Sequence, residues 1–426
     1  MNILLLFAIL FVCVSLSVPI GVSLGLATLI TLATTSAIPT IMISQTAFAG
    51  LDSFPLMAIP FFMLAGNLMA VGGIARRIVN VCDIVVGKIT GGVGMATIAA
   101  SMFFAAISGS GPATVSAMGT IMIPEMEKRG YDKGFATGLT ATAGTIGVII
   151  PPSIPFVIYG VVASASVGEL FIAGVVPGIL IGIALMIVCY IISVKRGYRG
   201  REEILNVKLW PVFKDSFWAL VTPVIILGGI YGGVFTPTEA AVIGIVYSFV
   251  ISTFIYKELK LKTFIDALKA TADLNGLTGL AIGFSMSFAS YLAMEQIPMK
   301  IATFLTGAIS NGIILILIIL LILLIVGLFV DNISSCLILT PVFLPLVKAM
   351  GMSPIQFGVV MTTALAIGFV TPPYGANLFV AAAVSGVRIE KIARAAVPFL
   401  FAMLICLLLI TFVPALSMGL VNMMKS

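Results

Sequence analysis

Histidine is absent from the sequence, charged residues are scarce, and the few cysteines do not cluster. Without histidine, the side chain that most often relays protons or binds metals is missing, so carboxylates, hydroxyls and backbone carbonyls remain for any ion chemistry. The five cysteines stand singly within or beside apolar runs, which argues against a disulfide framework and against a cysteine metal cluster. No pairing of a nucleophile with a base stands out, so the sequence does not favour an enzyme.

Apolar residues are what the sequence has in excess. Hydrophobic side chains make up 61% of the 426 residues and charged side chains only 9%, whereas soluble domains contain about 45–50% and about 25%. The length provides for about a dozen spans of about 20 residues each. The sequence therefore predicts an all-α polytopic membrane protein in a lipid bilayer. The net charge of +6 reflects membrane topology and does not indicate a nucleic-acid partner.

Two Pro-Pro pairs interrupt apolar stretches that would otherwise cross the bilayer. They lie in GVIIPPS, at 147–153, and in GFVTPPYG, at 368–375. Proline breaks a helix, and inside a membrane a break is tolerated only where the backbone is buried in protein or lines a site. Paired breaks in two halves of a chain point to the binding centre of a transporter. The pattern predicts two broken helices, at 134–167 and 355–387.

The two breaks belong to an internal repeat. A shift of 221 positions carries Gly147 onto Gly368 and the first Pro-Pro pair onto the second, without a gap. The same shift matches four further pairs, namely Pro124 with Pro345, Gly130 with Gly351, Glu169 with Glu390, and Pro177 with Pro398. Because most of these residues break helices, the fixed spacing indicates a duplication and not merely a shared membrane composition.

Each repeat is predicted to contain one re-entrant helical hairpin, which enters and leaves on the same side of the membrane. The first repeat covers 1–194, with its hairpin at 91–128. The second repeat covers 216–426, with its hairpin at 312–349. The most polar stretch, 195–215, is the linker between them.

The two repeats are predicted to have inverted topology. With inverted halves, all but three of the 22 basic residues fall on the side of the linker. The positive-inside rule makes that side the cytoplasm. In the second half, we expect a basic amphipathic stretch at 257–273 that is separate from a span at 276–294.

The tip of the first hairpin is SGSGP, which offers the hydroxyls of Ser108 and Ser110 and glycines that permit unusual backbone angles. One interpretation is a flexible turn or a close helix contact, since small residues are common where membrane helices meet. The other is that the tip faces the break at 147–152, where hydroxyls and unwound carbonyls bind a cation. A site of such hard oxygen ligands favours sodium over a transition metal.

The tip of the second hairpin carries a carboxylate, Asp331, at the end of an almost uninterrupted apolar arm. A carboxylate at that depth is costly and is therefore a candidate for function. The alternative is a cap for the helix that follows, a role that aspartate suits equally well. Its partners for sodium would be Gly368, Thr371 and Pro373 in the second break.

Half-helices that end near the middle of the membrane turn positive N-terminal ends towards the site, which favours an anionic group. We therefore expect a carboxylate substrate at the helix starts that follow the tips and the breaks. These starts are Pro112, Asn332, Ser153 and Tyr374. Asn377 could add a side-chain donor, or could serve as a local cap.

With SGSGPATVSA at 108–117, GVIIPPS and GFVTPPYGANLF in place, the sequence resembles the large membrane (M, or DctM) subunit of tripartite ATP-independent periplasmic (TRAP) transporters. The resemblance covers essentially the whole chain. It implies an elevator-type, sodium-driven secondary transporter of the ion-transporter superfamily, multi-pass in the bacterial inner membrane. It also implies a small four-helix membrane subunit and a periplasmic binding protein that delivers an organic acid. Overall similarity points to the sialic-acid (N-acetylneuraminate) branch.

In the family, sodium lies between each hairpin tip and the facing broken helix. The matching positions are Ser108, Ser110, Gly147, Ile150 and Pro152 for the first site, and Asp331, Gly368, Thr371 and Pro373 for the second. Two alternatives stay open. One is a stand-alone sodium- or proton-coupled carboxylate carrier, for example for C4-dicarboxylates, that needs no binding protein. The other is a channel-like or anchoring component without a coupled cycle.

Overall fold

The computed structural model describes residues 2–16, 18–35, 38–200, 209–308, 311–372 and 375–425, and regular structure within these ranges is entirely helical. Residues 201–208 of the expected linker, together with Pro373 and Tyr374, lie outside the described residues. The described part of the first half contains ten α-helices: α1 (Asn2–Ser15), α2 (Ile20–Thr35), α3 (Ile41–Leu51), α4 (Ala58–Val71), α5 (Ile74–Val86), α6 (Gly92–Ser108), α7 (Gly111–Lys128), α8 (Lys133–Ala143), α9 (Ile154–Ala163) and α10 (Val167–Arg196).

The second half continues with helices of the same kind. They are α11 (Leu209–Tyr231), α12 (Pro237–Val250), α13 (Leu261–Met294), α14 (Ile297–Ala308), α15 (Gly312–Phe329), α16 (Asn332–Ala349), α17 (Pro354–Gly368), α18 (Ala376–Ser385), α19 (Ile389–Phe412) and α20 (Ala415–Lys425). Among the described residues, eight helices are long and apolar enough to cross a membrane. This confirms the prediction of an all-α, multi-pass membrane protein.

Two helix pairs have the boundaries expected of the hairpins. Helices α6 and α7 are joined at Gly109, whose φ of +61° suits glycine, and at Ser110, whose side chain accepts a hydrogen bond from Ala113 N. Helices α15 and α16 are joined by Val330 and Asp331. In both pairs a capping side chain opens the returning helix, which explains why each chain reversal needs only two residues.

Helix α8 ends at Ala143 and α17 ends at Gly368, so both helices stop ahead of a Pro-Pro pair. A 3₁₀ turn, Gly144–Val148, extends α8, and the chain becomes helical again at α9, where Ser153 is the cap. Helix α18 begins at Ala376, after the second pair. Because proline cannot donate to the preceding turn, the helix ends there and leaves carbonyl groups free.

The two halves are packed crosswise. Helix α7 of the first hairpin packs against α18, and α16 of the second hairpin packs against α9. Likewise α4 packs against α12, and α2 packs against α13. Each hairpin therefore contacts the broken helices of both halves, since α7 also packs against α8 and α15 against α17.

One expectation for the second half is wrong. Residues 257–273 and 276–294 were expected to form two elements, but α13 runs unbroken over 34 residues. The equivalent stretch of the first half is divided into α3 and α4 by a non-helical segment and a 3₁₀ turn that contains Pro55. The 221-residue shift carries Pro55 onto Gly276. Glycine keeps its backbone N–H, so the helix continues where proline would have interrupted it.

Candidate functional site

Both hairpin tips line one cavity of about 910 Å³. The first tip contributes Ser108, Ser110 and Pro112, and the second contributes Asp331. Helices α4 and α13, the start of α2 and Val380 of α18 supply other parts of the wall. The crosswise packing thus places residues that are more than 200 positions apart in sequence around the same space.

The first tip is held by hydrogen bonds among its own oxygen atoms. The hydroxyl of Thr114 donates to the Ser110 carbonyl over 2.8 Å, and the Thr114 and Ser108 hydroxyl oxygens lie 3.0 Å apart. Ser108 and Thr114 are buried. The sequence analysis missed Thr114. Its position four residues after Ser110 could have revealed it, because a threonine hydroxyl on a helix commonly reaches the carbonyl one turn earlier.

The first tip also touches the first break. A methyl group placed on Gly147 would lie 2.5 Å from Thr114 Oγ1 and 2.6 Å from the Ser110 carbonyl oxygen, so only glycine fits there. The backbone N–H of Ile154 donates to the carbonyl of Gly109 over 3.2 Å, and Pro152 O would lie 2.9 Å from a methyl group on Gly109. Tip and break are therefore in contact, as expected.

Ile150 belongs to the same break, but its side chain points to another neighbour. It packs against Gly178 of α10, while its backbone N–H donates to Ile146 O over 2.9 Å. Any contribution of Ile150 to an ion site therefore rests with its carbonyl group.

The second tip is arranged differently. Asp331 is exposed to the cavity and its carboxylate accepts a hydrogen bond of 3.0 Å from Ser334 N, so it does cap α16. Gly368 lies against the backbone of Gly327 in α15, one helical turn before the tip. The Thr371 hydroxyl donates to Ile367 O over 2.7 Å.

Buried polar atoms without a hydrogen-bond partner accumulate behind the second tip. On α16 they are Asn332 Nδ2, Ser334 Oγ and Ser335 Oγ, and on the neighbouring α17 the atom is Thr363 Oγ1. An unsatisfied buried polar group costs about 1–3 kcal/mol. Such a concentration therefore calls for a partner that is not a protein group, such as water or an ion.

The predicted substrate positions are not all brought together. Pro112 lines the cavity, whereas Ser153, Asn332 and Asn377 are buried and do not appear in its wall. The Ser153 hydroxyl donates to Val148 O over 2.6 Å and accepts from Phe156 N over 3.4 Å, which makes it a helix cap. Asn377 Nδ2 donates to Ala141 O over 3.1 Å. The described lining includes a carboxylate but neither lysine nor arginine.

The same fold occurs in solved membrane transporters. The YdaH transporter of Alcanivorax borkumensis matches with a TM-score of 0.67 over 94% of this chain and 98% of that chain, at 11% identity. The antimetabolite efflux pump MtrF of Neisseria gonorrhoeae matches with a TM-score of 0.61 over 88% and 84%, at 12% identity. The molecule therefore has the fold of a multi-pass membrane transporter.

The family follows from the sequence. The family model of the DctM component of tripartite ATP-independent periplasmic transporters matches residues 7–416, and the chain belongs to this family. The resemblance inferred from the motifs is thereby confirmed. Curated relatives of the chain are named as TRAP transporter permeases.

Curated relatives differ in the substrate that their names give. The isethionate TRAP permease of Oleidesulfovibrio alaskensis is 44% identical over 94% of this chain, which spans only 63% of that relative. The C4-dicarboxylate large permease of Rhodobacter capsulatus is 37% identical over 100% of both chains. The sialic acid large permease of Vibrio cholerae is 38% identical over 94% of both. These identities do not single out the sialic-acid branch.

Proposed function

We propose that the chain is the permease subunit of a sodium-coupled secondary transporter that imports an organic acid. A periplasmic binding protein delivers the acid, and a small four-helix membrane subunit completes the assembly in the bacterial inner membrane. Membership of the TRAP family supports both partners. The observation that carries the proposal is the single cavity walled by the tips of both hairpins.

Sodium is assigned one site at each tip. At the first tip, the Ser110 carbonyl and the hydroxyls of Ser108 and Thr114 gather beside Gly147. At the second, Asp331 lines the cavity, and Ser334 and Ser335 in the first turn of α16 have buried hydroxyls without a partner. Only oxygen ligands are involved, which suits a hard cation. A bound sodium ion supplies positive charge and a partner for the orphaned oxygen atoms.

The organic acid is assigned to the cavity between these sites. Its negative charge finds no lysine or arginine among the described residues of the wall, and Asp331 would repel it. Two sources of compensation remain, namely the sodium ions and the N-terminal ends of α7, at Pro112, and α16, at Asn332. An acid that needs sodium for charge balance is bound only together with sodium, which is the coupling that a symporter requires.

An elevator movement is consistent with the packing. The two hairpins, the two broken helices, α10 and α19 contact one another. Helices α2, α4, α12 and α13 form a second connected group, which touches the first mainly where α13 meets α16 and α4 meets α6. The first group would move as one body past the second. The inverted repeats and the re-entrant character of the hairpins form part of this proposal, and the distribution of basic residues supports them.

Sialic acid remains our predicted substrate, although relatives named for isethionate and C4-dicarboxylates are similar to comparable degrees. The alternative function is a stand-alone carboxylate carrier, which would work without a binding protein.

Uptake into proteoliposomes tests the proposal. The full chain with its small subunit should accumulate the acid only when sodium and the binding protein are both outside. Asp331→Asn, which keeps the cap but removes the charge, should raise the sodium concentration for half-maximal uptake about tenfold, equivalent to about 1.4 kcal/mol. Asp266→Asn is the matched control, because Asp266 is exposed on α13 and does not line the cavity.

Two results would contradict the proposal in different ways. Uptake that does not depend on sodium would remove the coupling ion. Saturable uptake by this chain without a binding protein would favour the stand-alone carrier.

A further inference from the structure

Asn377 joins the ends of the two broken helices. Its side-chain Nδ2 donates a hydrogen bond to Ala141 O, near the end of α8, over 3.1 Å. Its backbone N–H donates to Phe369 O, just beyond the end of α17, over 3.0 Å. The residue is completely buried and lies in the first turn of α18. One residue therefore connects three helix ends.

These bonds reach carbonyl groups near the ends of α8 and α17. The last four carbonyls of a helix have no partner within it. Ala141 is in the last turn of α8, which ends at Ala143, and Phe369 directly follows Gly368, the last residue of α17. Asn377 thus donates to one carbonyl in each half of the chain, close to where each helix becomes a break.

The remaining polar atom of Asn377 is turned towards the first hairpin. Its Oδ1 has no hydrogen-bond partner. It would lie 3.1 Å from a methyl group on Gly111, the first residue of α7, and Gly144 O would lie 3.3 Å from the same point. The side chain therefore also contacts the helix that begins at the first tip.

This connection exists once and is not repeated by symmetry. The 221-residue shift carries Asn377 onto Phe156, which offers no side-chain donor. Phe156 N is bound instead by the local cap Ser153. Any structural change that passes between the two breaks through these hydrogen bonds therefore depends on Asn377.

We propose that Asn377 is a positioning residue that couples the two sodium sites. A shift of the backbone at one break changes the hydrogen bond at the other, so sodium bound at either site raises the affinity of the other site. The inference rests on the proposed sodium sites. It assigns Asn377 to the two helix ends and not to contact with the transported acid.

Equilibrium binding of radioactive sodium to the purified full chain tests the coupling, with choline chloride keeping the ionic strength constant. The unchanged protein should bind with a Hill coefficient clearly above one. Asn377→Ala should bring the coefficient close to one and raise the half-saturating sodium concentration about fivefold, which corresponds to about 1 kcal/mol. Asn377→Gln, which keeps an amide donor, should recover part of the cooperativity.

Gln356→Ala is the matched control. Gln356 is also a buried amide, and its Nε2 donates to Thr411 O over 3.0 Å at a distance in sequence from either break. Its loss should lower the melting temperature while leaving the Hill coefficient unchanged. Melting temperatures of all variants separate loss of structure from loss of coupling. If Asn377→Ala does not fold, Asn377→Gln is compared with the control by the same criterion.

The following results would contradict the inference. Asn377→Ala with the original Hill coefficient, or Gln356→Ala with an equally reduced one, would show that Asn377 has no particular role. A Hill coefficient near one in the unchanged protein would leave the sodium sites in place and remove the coupling. Absence of sodium binding in the unchanged protein would contradict the proposed function itself. That result differs from the loss of cooperativity alone, which would contradict only the role of Asn377.

Discussion

The two hairpin tips come from equivalent positions of a duplicated sequence, but their polar groups are used differently. At the first tip, Thr114 is bonded to Ser110 O and lies 3.0 Å from the Ser108 hydroxyl. The 221-residue shift carries Thr114 onto Ser335, whose buried hydroxyl has no partner. It also carries Ser110 onto Asp331, which adds a charge.

The comparison shows that the duplication preserved the backbone features of the two halves but not the hydrogen-bond partners of their side chains. Helix reversal, helix break and their contact with the opposite half are backbone features, and both halves have them. Side-chain partners have diverged. The first tip satisfies its own hydroxyls without an ion, whereas the second keeps unsatisfied groups. The second half of the site should therefore gain more stability from a bound cation than the first.

The largest effect is expected from Gly368→Ala. A methyl group at this position would overlap the backbone of Gly327, which cannot move aside as a flexible side chain could. Close packing of the two helices depends on the absence of a side chain. We expect a loss of about 3 kcal/mol in unfolding free energy, seen as a lower melting temperature in detergent. Gly228→Ala, with open space around it, should have little effect. An unchanged melting temperature for Gly368→Ala would contradict the observed helix contact.

Gly147→Ala, the equivalent substitution in the first half, should destabilise less. The added methyl group meets Thr114 Oγ1, a side-chain atom, at 2.5 Å and the Ser110 carbonyl oxygen at 2.6 Å, whereas at Gly368 the three nearest atoms all belong to the backbone of Gly327. We expect a loss of about 1–2 kcal/mol but a strong reduction of sodium binding, measured on the same preparation. If both glycine variants lost stability and sodium binding in the same proportion, the two tips would respond alike despite their different side chains.

Thr114→Val and Ser335→Ala compare the hydroxyls directly. Thr114→Val removes the hydroxyl that donates to the Ser110 carbonyl and lies beside the Ser108 hydroxyl, while the backbone bond from residue 114 to the same carbonyl stays. It should therefore cost about 1 kcal/mol in sodium-free buffer. Ser335→Ala removes an unpartnered group and should cost nothing there. In sodium, however, the Ser335 variant should gain less stability than the unchanged protein. Thermal unfolding with and without sodium measures both effects, and an equal sodium-free cost for the two variants would reject the comparison.

Local backbone chemistry made the hairpins and breaks predictable. Proline and glycine act on their own turn of the chain, so the ends of α8 and α17 could be placed from the Pro-Pro pairs. Ser108, Ser110 and Asp331 follow apolar arms, which was enough to place them at tips that line the cavity. The continuous α13 was predictable as well, because Gly276 stands where the first half has Pro55.

Contacts between distant segments could not be predicted in the same way. The pairing of Gly327 with Gly368 depends on how α15 crosses α17, and the reach of Asn377 to Ala141 spans the two halves. A single sequence records neither crossing angles nor which buried amide meets which free carbonyl. The sequence therefore named Asn377 as a site residue but not the groups that it holds.

The smallest effect on stability is expected from a substitution at the outer ends of the broken helices. There the two halves differ in whether the capping residue also forms an ion pair. Asp132 caps α8 by accepting from Phe135 N over 2.9 Å, and Ser353 caps α17 in the same way. Only Asp132 has an ion pair, with Lys391 Nζ at 2.9 Å. The shift carries Lys391 back onto Leu170, so the second half has no counterpart.

Burial would raise the pKa of Asp132, but the hydrogen bonds from Lys391 and Phe135 outweigh it and hold that pKa below its usual value. The pair therefore stabilises the fold above the unfolded-state pKa of about 4, and this contribution is lost as the pH falls through the lower folded-state value. Both side chains are about half exposed, so Lys391→Met should cost less than about 1 kcal/mol at pH 7. The cost should shrink in acid, whereas Lys133→Met, which removes only a 3.7 Å surface pair with Glu127, should show little change with pH. The measurement is the free energy of unfolding of each variant from neutral pH to below about pH 4, the unfolded-state pKa of an aspartate. If Lys391→Met costs the same at every pH, the lysine acts through packing and not through the charge of Asp132.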